Sequence, residues 1–429
     1  MQVQKPKQGY KLVKSNYGRY EEIPEEWEIS KISKFLDITM GQSPPSETYN
    51  EKGIGLPFYQ GVTDFGEINP MPTVWCSNAN KTANPDQILF SVRAPVGEIN
   101  LNTSRCYMGR GISSLTPKNS DLKYCFYLLK QFKSHFIQYS QGTTYDAINK
   151  NEIGMTKLIY TQNISEQKKI ALIISHSDTQ IQQTQKIIEY TKKLKNGLMQ
   201  RLLTKGIGHT KFKQIHVIPR FIKFSVPESW DIKKLKEISI DIKDGPMGFA
   251  LHNYDYVEVG IPILRIQNLK NLTVTKNDLR FISKKKHEEL QKSQVKPNDI
   301  IISKTGILGC VGVVPKDYGP ANLNQALARI QLKDNELVNY VSMFLVSKIP
   351  QQILSVVGSG RTVQAGLKMS DIKDLIIAIP PKEELKKIIN ILSEVSSFHT
   401  KQEEYKSNLE NLKKGLMQNL LMGKIRVNF

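Results

Sequence analysis

Ile23-Pro24-Glu25-Glu26-Trp27-Glu28-Ile29 returns later in the chain as Val226-Pro227-Glu228-Ser229-Trp230-Asp231-Ile232. Each copy leads into a lysine-containing amphipathic stretch, Lys31 to Phe35 in the first and Lys233 to Ile238 in the second. A second matched pair lies far downstream. Leu194-Lys195-Asn196-Gly197-Leu198-Met199-Gln200-Arg201-Leu202-Leu203 answers to Leu412-Lys413-Lys414-Gly415-Leu416-Met417-Gln418-Asn419-Leu420-Leu421. Trp27 and Trp230 are 203 positions apart and Gly197 and Gly415 are 218 apart, so the second copy carries a net insertion of 15 residues. Self-similarity of this kind marks a duplicated structural unit.

The 429 residues exceed what one ordinary core accommodates, which predicts two or more domains. A hydrophobic content of 39% supports globular cores. No apolar run reaches the ~18 residues of a membrane span, and the polar, basic start from Met1 to Tyr20 is not a secretory signal. Cys76, Cys106, Cys125 and Cys310 form no CxxC pair, so neither a zinc site nor a disulfide framework is expected, and a reducing cytoplasm is the expected compartment. Sixty Lys+Arg against 40 Asp+Glu give a net charge of +20, which points to a polyanionic partner, nucleic acid first.

Between the landmarks the halves diverge but keep a common grammar. Asn84-Pro85-Asp86-Gln87-Ile88-Leu89-Phe90-Ser91 parallels Lys296-Pro297-Asn298-Asp299-Ile300-Ile301-Ile302-Ser303, a proline-led turn feeding a short buried strand. Short strands are expected at Pro57 to Gln60, Ile88 to Val92, Ile263 to Ile266 and Ile300 to Ser303, with helices at Asp121 to Tyr139 and Asn335 to Gln352. That pattern predicts a mixed α/β (α+β) globule, used twice.

After each globule the texture changes. From Ser165 to Leu203 there is no proline. Ile170, Ile174, Ser177, Ile181, Thr184, Ile188, Thr191 and Leu194 recur in steps of four and three, extended by Leu198 and Leu202 and ended by Gly206. The second copy starts after Pro380-Pro381, with Ile388, Leu392, Val395, His399, Gln402, Leu409, Leu412 and Leu416 in the comparable stripe. A helix of ~36 residues spans about 54 Å. Pairing the two antiparallel would hold two similar globules at the ends of a rod of about 50 Å, or roughly 15 base pairs of B-DNA.

Taken in duplicate and in this order, the Pro-Glu-Glu-Trp and Pro-Glu-Ser-Trp openings, Gly197-Leu198-Met199-Gln200 with Leu202-Leu203-Thr204-Lys205-Gly206-Ile207-Gly208-His209, and Gly415-Leu416-Met417-Gln418 with Leu420-Leu421 carry a resemblance. Over nearly its whole length the chain resembles the specificity subunit of type I restriction-modification systems. The resemblance implies two target-recognition domains, each reading one half of a split sequence in double-stranded DNA. It implies two long helices paired as an antiparallel coiled coil, a pseudo-two-fold internal repeat. The helices would be the spacer that docks two modification (methyltransferase) subunits. S-adenosylmethionine for adenine methylation would reside in those partners, and ATP and Mg in restriction (motor-nuclease) subunits. No cofactor is expected in this chain, and no membrane partner. The implied division is an N-terminal extension (1–22), a first recognition domain (23–163), a central helical spacer (164–222), a second recognition domain (223–381) and a C-terminal helical spacer (382–429). The chain departs from some relatives at Thr161-Gln162-Asn163-Ile164-Ser165-Glu166-Gln167, which lacks the two prolines that open the second helix at Pro380-Pro381.

Catalytic patterns are missing. Ser43-Pro44-Pro45-Ser46 and Ile379-Pro380-Pro381-Lys382 lack the Asn/Asp and the aromatic of an adenine methyltransferase loop. No phosphate loop of the Gly-Lys-Ser/Thr kind occurs, and Gly306, Gly309 and Gly312 read as turns. The Asp-x-Lys tripeptides at Asp231, Asp241 and Asp371 read as surface, not as a metal nuclease.

Base reading calls for Arg or Lys at guanine and Asn or Gln at adenine. In the first globule the candidates are Gln42, Gln60, Thr63, Arg93, Arg105, Tyr107, Arg110, Thr143, Thr144 and Tyr145. In the second they are Arg265, Gln267, Asn268, Lys304, Asn322, Asn324, Gln325, Ser359, Arg361 and Thr362, with Lys304 and Arg93 at matching places after a strand. Asn322 and Asn324 serve equally well as turn caps. Lys284-Lys285-Lys286 reads as a solvated face. For the spacer or subunit interface the candidates are Ile170, Ile174, Ile181, Ile188, Leu194, Leu198, Leu202, Ile388, Leu392, Val395, Leu409, Leu412 and Leu416. Two rival readings are a single-chain nuclease or methyltransferase, and a coiled-coil adaptor that binds only protein.

Overall fold

Asn84-Pro85-Asp86 and Lys296-Pro297-Asn298 each turn the chain into a wholly buried strand, Ile88–Ser91 and Ile300–Ser303. The turn requires a positive φ at its third residue, and Asp86 (φ 61) and Asn298 (φ 67) supply it with short polar side chains that tolerate that region. These two strands sit at the centre of two compact units in a computed structural model that describes residues 6–14, 20–140, 147–217, 222–246, 250–359 and 366–428. One unit comprises Met1–Lys186 and Glu403–Phe429, the other Ile187–Gln402.

In the first unit Ile88–Ser91 lies between Ile99–Leu101 and Ile112–Pro117, and Leu36–Met40 completes a four-stranded antiparallel sheet. A smaller sheet runs Tyr49–Asn50, Trp75–Cys76, Leu56–Tyr59, Cys106–Met108, Thr82–Ala83. In it Leu56–Tyr59 and Cys106–Met108 are parallel. The helix Leu122–Gln131, capped by Asp121, packs a buried face on the larger sheet. The sequence reading ran this helix through to Tyr139; the structure breaks it at Phe132 and restarts at Lys133–Ser140. Tyr10–Lys14 and Tyr20–Pro24 form a hairpin ahead of Trp27.

The second unit repeats the plan with extensions. Its main sheet runs Ser239–Asp244, Leu327–Leu332, Ile300–Ser303, Val311–Val313, Leu272–Val274, Leu269–Lys270. Its smaller sheet runs Tyr256–Val257, Arg280–Ile282, Ile261–Leu264, Asn322–Leu323, again with one parallel pair, Ile261–Leu264 with Asn322–Leu323. The stretch Asn335 to Gln352 resolves into Asn335–Leu337, Val338–Leu345 and Lys348–Ser359. In each unit a short antiparallel pair closes the globule on itself: Glu28–Lys31 with Lys157–Tyr160, and Asp231–Lys234 with Ile376–Ile379.

The long helices run Ile164–Lys205 and Lys382–Leu420. The missing prolines of the first entry have a local substitute. Asn163 Oδ1 accepts from the backbone N–H of Ser165 (2.9 Å) and Glu166 (3.2 Å), satisfying amides that a helix start leaves bare. Both repeated motifs converge on the carboxylate of each first turn. Trp27 is fully buried and donates Nε1–H to Glu166 Oε2 at 2.9 Å, while Arg426 Nε donates to Glu166 Oε1 at 2.8 Å. In the other unit Trp230 Nε1 donates to Glu384 Oε2 at 3.0 Å, and His209 Nε2 lies 2.9 Å from both oxygens of Glu384. The glycine that ends the first long helix makes this possible. Gly206 has φ +64, and a Cβ there would stand 2.3 Å from Glu384 Oε1.

The helical seam follows the expected alternation as far as Thr191: Ile170, Ile174, Ser177, Ile181, Thr184 and Thr191 are buried and Ile188 half-buried. Leu194 is a correction. After the three-step from Ile188 to Thr191 the next is a four-step, which lands on Lys195; Leu194 is 54% exposed. Leu198 is half-buried and Leu202 buried. On the second helix Ile388, Leu392 and Leu409 are buried and Val395 and Leu416 half-buried, but Leu412 is likewise a correction at 55% exposed. The neighbouring Lys413 takes the seam. Its ammonium pairs with buried Asp178, which also accepts from Tyr127 Oη at 2.6 Å. Within the first unit the helices therefore run antiparallel, Glu166 meeting Arg426 and Asp178 meeting Lys413.

Candidate nucleic-acid interface

Four segments of the first unit cross where its two sheets meet. Gly41 N donates to Ile112 O, Gln42 N to Met108 O, Gly109 N to Tyr59 O and Val92 N to Gly111 O, each at 2.9 Å. The segments lie so close that a Cβ on Gly111 would stand 2.2 Å from Gln60 O. Arg110 N donates to Ser43 Oγ at 3.1 Å. The floor beneath is apolar, made of Tyr59, Cys106, Met108 and Ile112. Burial pushes the Cys106 thiol up to about 12, so it stays protonated and is no nucleophile. Gln42, Gln60 and Arg110 project from this crossing, all exposed. Exposed Arg93 leaves the adjoining turn, bridged to Ala147. Arg105 is exposed at the far end of the strand Cys106–Met108, Tyr107 is half-buried within it, and Thr63 is exposed on the turn Val62–Asp64. Among the described residues no carboxylate pairs with Arg93, Arg105 or Arg110.

The second unit builds the same crossing. Gly245 N donates to Leu327 O (2.9 Å), Asn324 N to Leu264 O (3.0 Å), Lys304 N to Ala326 O (2.8 Å) and Leu367 N to Lys304 O (2.8 Å). The last bond matches Ile148 N to Val92 O in the first unit. Gly245 thus stands where Gly41 does, Arg265 where Gln60 does, and Gln325 where Arg110 does. The pairing of Lys304 with Arg93 slips by one. Lys304 matches Val92, and Thr305, bridged to Gly366, matches Arg93.

Several candidates turn out to serve the fold. Asn322 is fully buried; its Nδ2 donates to Leu290 O (3.0 Å) and Ser293 Oγ (2.8 Å), and its Oδ1 meets His287 Nδ1. Asn268 is also fully buried, with Oδ1 accepting from Arg265 N (2.8 Å) and Nδ2 donating to Asn277 O (2.7 Å). Both amides are consumed by turns, so neither presents an edge to a base. Asn324 Oδ1 accepts from Ala326 N at 3.1 Å, while Gln325 is exposed. Arg265 pairs with Asp278 at 3.1 Å and Gln267 donates to the same carboxylate. Lys304 pairs with Asp244 at 2.9 Å. In the lysine run, Lys286 pairs with Asp255 at 3.3 Å. Ser359 ends the helix Lys348–Ser359. Thr143, Thr144, Tyr145, Arg361 and Thr362 lie outside the described residues.

The sequence reading gave Ser43 no part in anchoring Arg110 and assigned no contact to the basic tails at Arg426 and His209. Only the repeat spacing pointed to the tails, since each follows a helix-ending glycine, Gly423 or Gly206. Among the described residues no group of three His, Cys, Asp or Glu is placed to hold a metal, and no single helix is long and apolar enough to cross a membrane.

A 187-residue stretch is 36% identical to the MjaX specificity subunit of Methanocaldococcus jannaschii, over 43% of this chain and 44% of that relative. The type I restriction enzyme MjaVIII specificity subunit of the same organism is 27% identical over 414 residues, 94% of each chain. The crystal structure of the type I restriction-modification S subunit from M. genitalium shares the fold, with a TM-score of 0.60 at 16% identity over 94% of this chain and 96% of that one. The family model described as the type I restriction modification DNA specificity domain matches twice, at residues 24–192 and 227–411, and the chain belongs to that family.

Proposed function

We propose that this chain is the DNA sequence-specificity subunit of a type I restriction-modification complex and that each unit reads one half of a bipartite duplex target. One observation carries the reading: the same backbone crossing is built twice and presents different exposed polar and basic side chains, Gln42, Gln60 and Arg110 in one unit and Gln325 in the other. A net charge of +20 supplies the phosphate attraction that precedes base reading. The chain is a reader and scaffold in the cytoplasm. S-adenosylmethionine belongs to two modification subunits that methylate adenine, and ATP and Mg belong to the restriction subunits.

The long helices would hold the modification subunits. Off the seam they expose apolar side chains: Tyr405 and Leu412 in the first unit; Tyr190, Leu194, Ile391 and Phe398 in the second. Large apolar side chains clustered on a solvent face mark interaction sites.

The test is selection from random duplexes by the complex with its modification subunits, across salt concentration. Two short sequences at a constant separation are expected. Binding without base preference, or to one continuous sequence, would overturn the reading.

A further inference from the structure

Arg110 and Gln325 occupy the same place in the two crossings. Each is the middle of a tripeptide, Gly109-Arg110-Gly111 or Asn324-Gln325-Ala326. The flanks of each tripeptide are pinned by the same two backbone bonds. The residue before donates N–H to the end of the parallel strand, at Tyr59 O (2.9 Å) or Leu264 O (3.0 Å). The carbonyl of the residue after accepts from Val92 N (2.9 Å) or Lys304 N (2.8 Å). In the first unit Ser43 Oγ fixes the middle amide as well. The backbone is thereby held while the side chain stays in solvent. That combination suits a reading residue, because little ordering cost remains to be met on binding.

The free ends differ in chemistry. Arg110 is exposed and no carboxylate neutralises it among the described residues. The neighbouring cations of the second crossing, Arg265 and Lys304, are each tied to an aspartate, at 3.1 Å and 2.9 Å. There the exposed Gln325 amide is the untied reader. A guanidinium matches the O6 and N7 acceptors of guanine with two parallel bonds; a carboxamide matches N6 and N7 of adenine.

We propose that Arg110 and Gln325 are specificity-determining residues at equivalent positions of the two half-sites, Arg110 reading a guanine and Gln325 an adenine. This rests on the bipartite-reader function proposed above. Arg105 differs from Arg110 in kind: it sits at the opposite end of the strand Cys106–Met108, off the crossing, and serves only phosphate attraction.

The experiment is sequence selection with the reconstituted complex carrying Arg110→Gln, Gln325→Arg, Arg110→Ala or Arg105→Ala. Arg110→Gln should convert one guanine of one half-site to adenine, and Gln325→Arg one adenine of the other half-site to guanine. Each conversion should leave the opposite half-site unchanged. Arg110→Ala should erase a preference of roughly ten- to hundred-fold at that one position. Arg105→Ala should weaken binding to all sequences alike and flatten the salt dependence. Unchanged base preferences in Arg110→Ala and Arg110→Gln, or equal loss in both half-sites, overturn the assignment. If the wild-type complex itself shows no bipartite preference, the functional reading fails, and that result is distinct from a wild type that selects normally beside variants that do the same.

Discussion

Trp27 Nε1 donates a 2.9 Å hydrogen bond to Glu166 Oε2, across 139 residues of chain. The bond ties the start of the first reading domain to the first turn of the helix that leaves it. Arg426, from the tail beyond the second helix, closes the same carboxylate. Glu166 is almost wholly buried, so each donor lost leaves a desolvated charge less well satisfied. Trp27→Phe should therefore cost about 1–3 kcal/mol from the missing donor alone. Urea denaturation of the full chain measures it, and no change in midpoint would show the contact to be inert.

The Asp178–Lys413 pair is a buried ion pair in a seam lined mostly by apolar and hydroxyl side chains. Lys413→Ala leaves the buried Asp178 carboxylate without its ammonium partner and held by the Tyr127 hydroxyl, a loss of about 3–5 kcal/mol. Replacing both members, Asp178→Leu with Lys413→Met, should recover most of that. A double variant as unstable as the single one would contradict the pairing.

Exposed and buried apolar residues on one helix should part company on mutation. Leu194→Lys and Leu412→Lys should leave the melting temperature of the isolated chain nearly unchanged, whereas Ile174→Lys, at a fully buried site, should unfold the first unit. The two surface variants should reduce co-purification with the modification subunits. Full retention of those subunits would remove these faces from the docking account.

Asp299 gives the second unit a pH dependence of definite sign. Burial raises its carboxyl from 3.8 to about 6, against the opposing pull of the Lys296 amide and Arg329. Between those values the folded chain keeps a proton that the unfolded chain has released. Stability should therefore fall as pH rises through that window. Asp299→Asn should flatten that segment of a denaturation-versus-pH curve; an unaltered slope would assign it to other groups.

The duplication, the buried central strands and the two long helices were readable because they leave periodic or repeated marks, as in Pro85-Asp86 and Pro297-Asn298. The seam slipped at Leu194 and Leu412 because an apolar residue stood one place from the heptad position, and Lys195 and Lys413 filled it. A lysine at a seam signals nothing until its partner is known, and Asp178 lies 235 residues from Lys413. Among the reading candidates, exposed Arg110 and buried Asn322 look alike as residue types. What separates them is tertiary: Ser293, Leu290 and His287 consume Asn322, and nothing local in the chain announces those contacts. The crossing itself depends on backbone bonds between segments far apart in sequence, which no pattern encodes.

The strand pairs Glu28–Lys31 with Lys157–Tyr160 and Asp231–Lys234 with Ile376–Ile379 bring the two ends of each reading domain together, so one domain can replace the other. The most direct measurement is methylation mapping in cells carrying the complex with residues 23–163 duplicated in place of 223–381. The account predicts a target with two copies of the half-site read by the first domain and none of the second. Persistence of the original bipartite target would contradict it.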